Sequence, residues 1–223
     1  MQKAKLIVID GGDNVGKATQ TALLLERLQK DGKKVGTIDF PQYTNNTFGK
    51  LIKECLMGLH GDFMSVDPKI ASTLFAADRY ESKNQLLGLI EESDVVVLDR
   101  YVSANMLHQG AKIQDIEKRK EFLLWLESIE YGIFGLPEPD LTIALSVSPE
   151  HSNDILMRMV EEGKKTPDTA ETDRLHQKGV AQCVDWLSSM KDNWTVVHCS
   201  SIEGLRSRED IHEEVYALVG KVI

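Results

Sequence analysis

A chain of 223 residues with 42% hydrophobic and 27% charged side chains can bury one substantial core or at most two small ones, and its make-up excludes a disordered or fibrous protein. The net charge of −9 argues against broad binding to nucleic acid or to an anionic membrane surface, so a polyanionic ligand has to be drawn by local positive sites. Cys55, Cys183 and Cys199 offer neither a disulfide framework nor metal-ligand spacing, no apolar run approaches the ~18 residues of a membrane span, and the N-terminus enters a strand at once; a reducing, cytoplasmic location is expected.

Strands and helices alternate along the chain. Residues 6–10 read as a buried strand, and Gly11-Gly12-Asp13-Asn14-Val15-Gly16-Lys17 leads from it into a helix over 19–30 that Gly32 closes. A second strand is expected at 34–40 and a helix at 48–59. Asp67-Pro68 supplies an N-cap acid and a first-turn proline for a helix running to about residue 91. Residues 94–99, DVVVLD, form a near-continuous apolar strand of the kind covered on both faces. Helices after Tyr101 and over about 116–129 follow, then a strand at 141–147 and a helix capped by Ser148 that carries Met157 and Arg158. A polar segment at 161–173 precedes a helix at 172–190, a last strand at 194–199 and a closing helix opened by Ser207. This alternation predicts an α/β chain, a parallel five-stranded sheet with helices on both faces, and no linker divides it, so residues 1–223 are expected to form a single domain.

The first loop carries the chemistry most directly. G-x-x-x-x-G-K between a strand and a helix is a phosphate-binding loop, and Gly11, Gly12, Asp13, Asn14, Val15, Gly16, Lys17, Ala18 and Thr19 are its expected ATP-binding residues. Loop amides and the helix N-terminus converge on one spot of positive potential, and Lys17 adds a mobile cation. The position after the lysine, where a hydroxyl usually ligates Mg²⁺, holds Ala18. In parallel sheets ligands sit at the carboxyl ends of strands, which here bear Phe40-Pro41-Gln42-Tyr43 and Asp99-Arg100-Tyr101. Asp99 stands where a carboxylate orders magnesium through water, and the planar fork of Arg100 suits phosphate oxygens.

GGDNVGKATQ at 11–20, FPQY at 40–43, LFAADRYE at 74–81, DRYVSANMLHQGAK at 99–112, PEPD at 137–140 and the lid-like stretch at about 158–174 together resemble the thymidylate kinases of the P-loop nucleoside monophosphate kinase group. The resemblance implies transfer of the γ-phosphoryl of ATP to dTMP with Mg²⁺, a P-loop kinase fold with a small lid, and a homodimer. It implies that Asp13 reaches the sugar 3′-hydroxyl, that Phe75 stacks on thymine, and that Arg79 meets the base or the acceptor phosphate. Arg100 is implied at the acceptor phosphate, and Asn105 and Gln109 at the base, with Phe40, Pro41 and Tyr43 beside them. The implied catalytic cations are Lys17, Arg100 and, from the lid, Arg158 ahead of Lys164, Lys165 and Arg174.

The chain departs from the family where Tyr43 replaces a common arginine, where His108 replaces a tyrosine that crowds the sugar 2′ position, and at Asn14, where some members carry a catalytic arginine. A kinase for dUMP, for another nucleoside monophosphate or for a deoxynucleoside, and a nucleotide-binding module without catalysis, are the competing expectations.

Overall fold

The computed structural model describes residues 3–201 and 204–223. Strand β1 (Lys5–Gly11) leads through the glycine loop to helix α1 (Lys17–Lys30), and β2 (Val35–Asp39) is followed by α2 (Thr47–Leu56), α3 (Pro68–Glu81) and α4 (Lys83–Glu92). β3 (Val95–Asp99) precedes α5 (Val102–His108) and α6 (Ile116–Glu127), and β4 (Leu141–Ser146) precedes α7 (Pro149–Glu161), the short α8 (Thr169–Thr172) and α9 (Arg174–Met190). β5 (Trp194–His198) and α10 (Arg208–Val219) complete the main elements.

The five strands are parallel in the order β2-β3-β1-β4-β5. The chain departs from β1 in both directions, so β1 ends at the point where strand order reverses, and there a crevice opens beyond the carboxyl ends. The register sets Ile9 beside Asp99 and Asp39 beside Asp99, which places the tips of β1, β2 and β3 side by side.

Alternation along β1 explains the two core layers. Leu6 and Val8 face Met106, Leu107, Phe122, Val180 and Leu187, from α5, α6 and α9. Ile7 and Ile9 face Leu24, Leu28, Ile211 and Val215, from α1 and α10. With both faces covered, every residue has a core to enter, so the central strands read as unbroken apolar runs.

The helix expected over 67–91 is two helices. Asn46 inserts its side-chain amide at the junction, donating to Asp78 O at 3.1 Å and to Ser82 Oγ at 3.0 Å, and Ser82 ends α3 as it begins α4. A polar side chain pushed into the ladder is an ordinary cause of a helix break. A π-helical turn (Ser128–Ile133) and a small antiparallel pair, β6 (Ser200–Ser201) with β7 (Gly204–Leu205), were not expected from sequence pattern.

Candidate functional site

The expected phosphate loop is made by backbone. Gly11 has a φ of +132°, and a β-carbon there would collide with the Leu145 carbonyl of the neighbouring strand, so only glycine ends β1 in this way. Gly16 is left-handed and begins α1 with no side chain capping the first turn, which leaves the first amides of α1 offered outward. Asn14, with a φ of +58°, is a residue type that tolerates this region. Val15 turns inward to the core, and Gly12 flanks a narrow space beneath the loop. Lys17 is buried and folds its ammonium back onto the Gly12 carbonyl. Burial, with the charge of Arg100, pushes its pKa down to about 8. Ala18 and Thr19 are exposed on α1.

Carboxylates stand behind the lysine. Asp10 is fully buried and satisfied, accepting from Gly11 N at 2.9 Å and from the Ser103 hydroxyl. Asp99 is half-buried, and its carboxylate accepts no hydrogen bond among the described residues. Burial raises its pKa, with Lys17 and Arg100 opposing and Asp10 and Asp39 adding to the rise.

Beyond the loop lies an open cleft of about 660 Å³, counting the space it shares with solvent. Asp13, Phe40, Pro41, Tyr43, Phe75, Arg79, Arg100, Asn105, His108 and Gln109 all line it, brought together from the loop, the end of β2, α3, the end of β3 and α5. Arg100 has a φ of +66°, a backbone state that costs a non-glycine residue on the order of 1–3 kcal/mol and marks a position held by its surroundings. Its guanidinium donates to Asp13 Oδ1 at 2.5 Å and to His108 Nε2 at 3.0 Å. Gln177 donates to the other oxygen of Asp13 at 2.8 Å. Burial opposes the charge of Asp13, but its cationic and amide neighbours outweigh that and hold the carboxyl well below the usual range.

Arg79 is buried and forked onto Glu130, at 2.5 and 2.6 Å, with a third bond to the Tyr101 carbonyl at 3.2 Å. Asn105 donates to Ser72 O and to Glu130. Gln109 differs from these two: its side-chain oxygen is buried and has no hydrogen-bond partner among the described residues. The ring of half-buried Phe75 lies 6.1 Å from that of Phe63, centre to centre, across the cleft wall. Tyr43 is partly exposed at the rim, its pKa pushed up to about 12 by burial of the hydroxyl.

The cations expected in a lid separate sharply. Lys165 reaches the loop, donating to Asn14 Oδ1 at 2.9 Å while paired with Glu171. Lys164 pairs with Glu162 in solvent. The side chains of Arg158, on α7, and Arg174, at the start of α9, are exposed and make no hydrogen bond or ion pair among the described residues. Glu130, Phe63, His176, Gln177 and Asp168 were not singled out from sequence. Glu130 sits in a π-helical turn that no pattern announced, and His176 and Gln177 lie in the first turn of α9, where nothing local distinguishes them from an ordinary helix start.

Comparison with known proteins adds an independent line. Residues 9–215 match the family model described as thymidylate kinase. The chain is similar to thymidylate kinase from Mycobacterium tuberculosis, 37% identical over 145 residues that cover 65% of this chain and 67% of that one. A probable thymidylate kinase from Pyrococcus abyssi is 30% identical over 219 residues, 96% of this chain and 94% of the relative. Among solved structures, a thymidylate kinase from Candida albicans superposes with a TM-score of 0.73 at 24% identity, covering 98% of this chain and 92% of that one, a likeness of fold.

Proposed function

This chain belongs to the thymidylate kinase family, and from that premise we propose how its residues divide the work. The reaction moves the γ-phosphoryl group of ATP to dTMP: the bond from the γ-phosphorus to the β-phosphate oxygen breaks, a bond to a dTMP phosphate oxygen forms, and ADP leaves. The acceptor is already an anion, so the chain needs cations and alignment more than a base.

On the donor side the amides of residues 11–17 and Lys17 bind the ATP phosphates, with Ala18 and Thr19 continuing the loop into α1. On the acceptor side Arg100 holds the phosphate. Two of its five N–H groups face Asp13 and His108, which leaves three in a fixed fork for phosphate oxygens. Phe75 stacks on the base, beside Phe40, Pro41 and Tyr43. Gln109 offers the unpaired oxygen that an N–H on the base edge would satisfy, and an orphaned buried acceptor inside a cleft is the observation that most favours a base there. Asn105 and Arg79 support that edge through Glu130, and Asp13 lies where a sugar hydroxyl would donate.

Magnesium fits the residues present. Asp99 is a hard oxygen donor with free lone pairs beside Lys17 and would hold the ion through water, whereas Asp10 has both oxygens engaged and Ala18 has no ligand to give. When bound, the ion would neutralise charge on the transferring phosphates. We further infer that residues 1–223 act as one domain with residues 158–174 as its lid, that Lys165 is the lid cation nearest the donor and Arg158 enters only on closure, and that the protein is a cytoplasmic homodimer without nucleic-acid partners. No helix among the described residues is long and apolar enough to cross a membrane.

A panel of nucleoside monophosphates and deoxynucleosides with ATP and Mg²⁺, scored by ADP release, tests the reading. dTMP should head the panel; preference for a deoxynucleoside lacking phosphate would overturn the role of Arg100. Sedimentation of the protein as a monomer at assay concentration would overturn the dimer.

A further inference from the structure

His108 and His176 stand side by side in the acceptor cleft, their ring centres 5.5 Å apart and their planes 28° from parallel. His176 is buried, at 9% exposure, and His108 is half-buried. His108 Nε2 lies 3.0 Å from Arg100 Nη1, and His108 Nδ1 lies 3.3 Å from His176 Nε2.

The donor pattern of these three residues is forced. A guanidinium has no acceptor, so Arg100 donates and His108 Nε2 accepts. A histidine that accepts at Nε2 is neutral and carries its proton on Nδ1. That proton points at His176 Nε2, which must then accept, so His176 carries its own proton on Nδ1. Burial of His108, with the neighbouring Arg100 charge, pushes its pKa down to about 3 against the pull of Asp13, in keeping with a ring that stays neutral. Burial lowers the pKa of His176 as well, with Asp13 and Asp173 opposing and Lys112 adding to the fall.

His176 is itself held. It occupies the first turn of α9, where its backbone N–H is one of two that Asp173 caps, at 3.0 Å. A rigid helix terminus thus presents an acceptor to His108, and His108 presents one to Arg100.

We propose that His176 is a positioning residue for the acceptor phosphate: by accepting the Nδ1 proton of His108 it fixes that ring as an acceptor for Arg100 and so aims the guanidinium. The proposal rests on the reading of Arg100 as the phosphate-binding arginine. Histidine-to-arginine support of this kind replaces side-chain freedom with a fixed fork, so less freedom is lost on binding two phosphate oxygens than a mobile side-chain cation would lose.

Two measurements on the whole chain decide it. In ¹⁵N-histidine-labelled protein at neutral pH, His108 should appear as the Nδ1–H tautomer with a proton protected from solvent exchange; an Nε2–H tautomer in the unmodified protein overturns the proposal whatever any variant does. His176→Leu keeps the volume and removes the acceptor. It should raise the dTMP KM by about two- to tenfold, the worth of one net hydrogen bond, with kcat and the ATP KM unchanged and the protected proton lost. His176→Gln, which retains an acceptor oxygen, should restore both readings. Equal losses in the two variants, or an unchanged dTMP KM in His176→Leu, would mean that the histidine only fills space. Arg100→Lys separates the two layers of argument: an unchanged dTMP KM there overturns the role of Arg100 itself, whereas a raised one beside an inert His176→Leu overturns the relay alone.

Discussion

The phosphate loop and the acceptor cleft share Asp13 yet are built on opposite plans. The loop is seven consecutive residues whose work is done by backbone amides, two left-handed glycine positions and one lysine. The cleft gathers side chains from residue 13 to residue 176, tied by contacts such as Arg79 to Glu130, 51 residues apart. A site made of local backbone is set by local sequence. A site made of distant side chains exists only once the sheet has put its strand tips together and buried charges have found each other. The loop should therefore fail by chemistry when damaged, and the cleft by folding or by loss of acceptor binding.

The largest expected effect tests the cleft. Glu130 is wholly buried and neutralises an equally buried Arg79. Glu130→Ala leaves that buried guanidinium without its counter-ion, with only the Tyr101 carbonyl to accept from it, and should destabilise the protein by about 3–5 kcal/mol, read by denaturant unfolding. A loss within experimental error would show that the cleft has no buried electrostatic frame and is closer to the loop in kind. The next effect tests the loop. Lys17→Ala should lower turnover by roughly 10²–10³-fold by removing preorganised charge at the transferring group. Its unfolding should move little, because the lysine bonds only to loop carbonyls and burial disfavours its charge. Near-normal turnover would break the donor assignment. Smaller again, Phe75→Ala should raise the dTMP KM through loss of stacking worth about 1–3 kcal/mol while leaving the ATP KM alone. An equal rise in both would make Phe75 a packing residue.

The same contrast explains what was legible in the sequence. The strand–loop–helix unit, the β3 tip with Asp99 and Arg100, and all five strands followed from periodicity and punctuation, because each is decided within about ten residues. The residues proposed to meet the base, Phe75, Asn105 and Gln109, were reachable only through family resemblance, since an aromatic or amide on a helix looks the same whether it faces a ligand or a core. Glu130 was reachable by neither route: a glutamate after a leucine-rich helix reads as solvated, and only the π-helical turn carries it inward to Arg79. The break at Ser82 escaped for a similar reason, as Asn46, which causes it, lies 36 residues away.

The lid is where the two plans meet, and two adjacent lysines make the smallest and sharpest test. Lys164 is 67% exposed and pairs with Glu162 in solvent, an arrangement worth about 0–1 kcal/mol. Lys165 is 28% exposed and bonds to Asn14, so its charge already lies against the glycine loop. Removing that bond should cost about 0.5–1.5 kcal/mol, a two- to tenfold fall in kcat for Lys165→Met. Lys164→Met should leave kcat as it is. If the two variants behave alike, the contact with Asn14 does not survive substrate binding, and the cation that crosses the cleft on closure must come from elsewhere in the lid, with Arg158 the residue then to substitute.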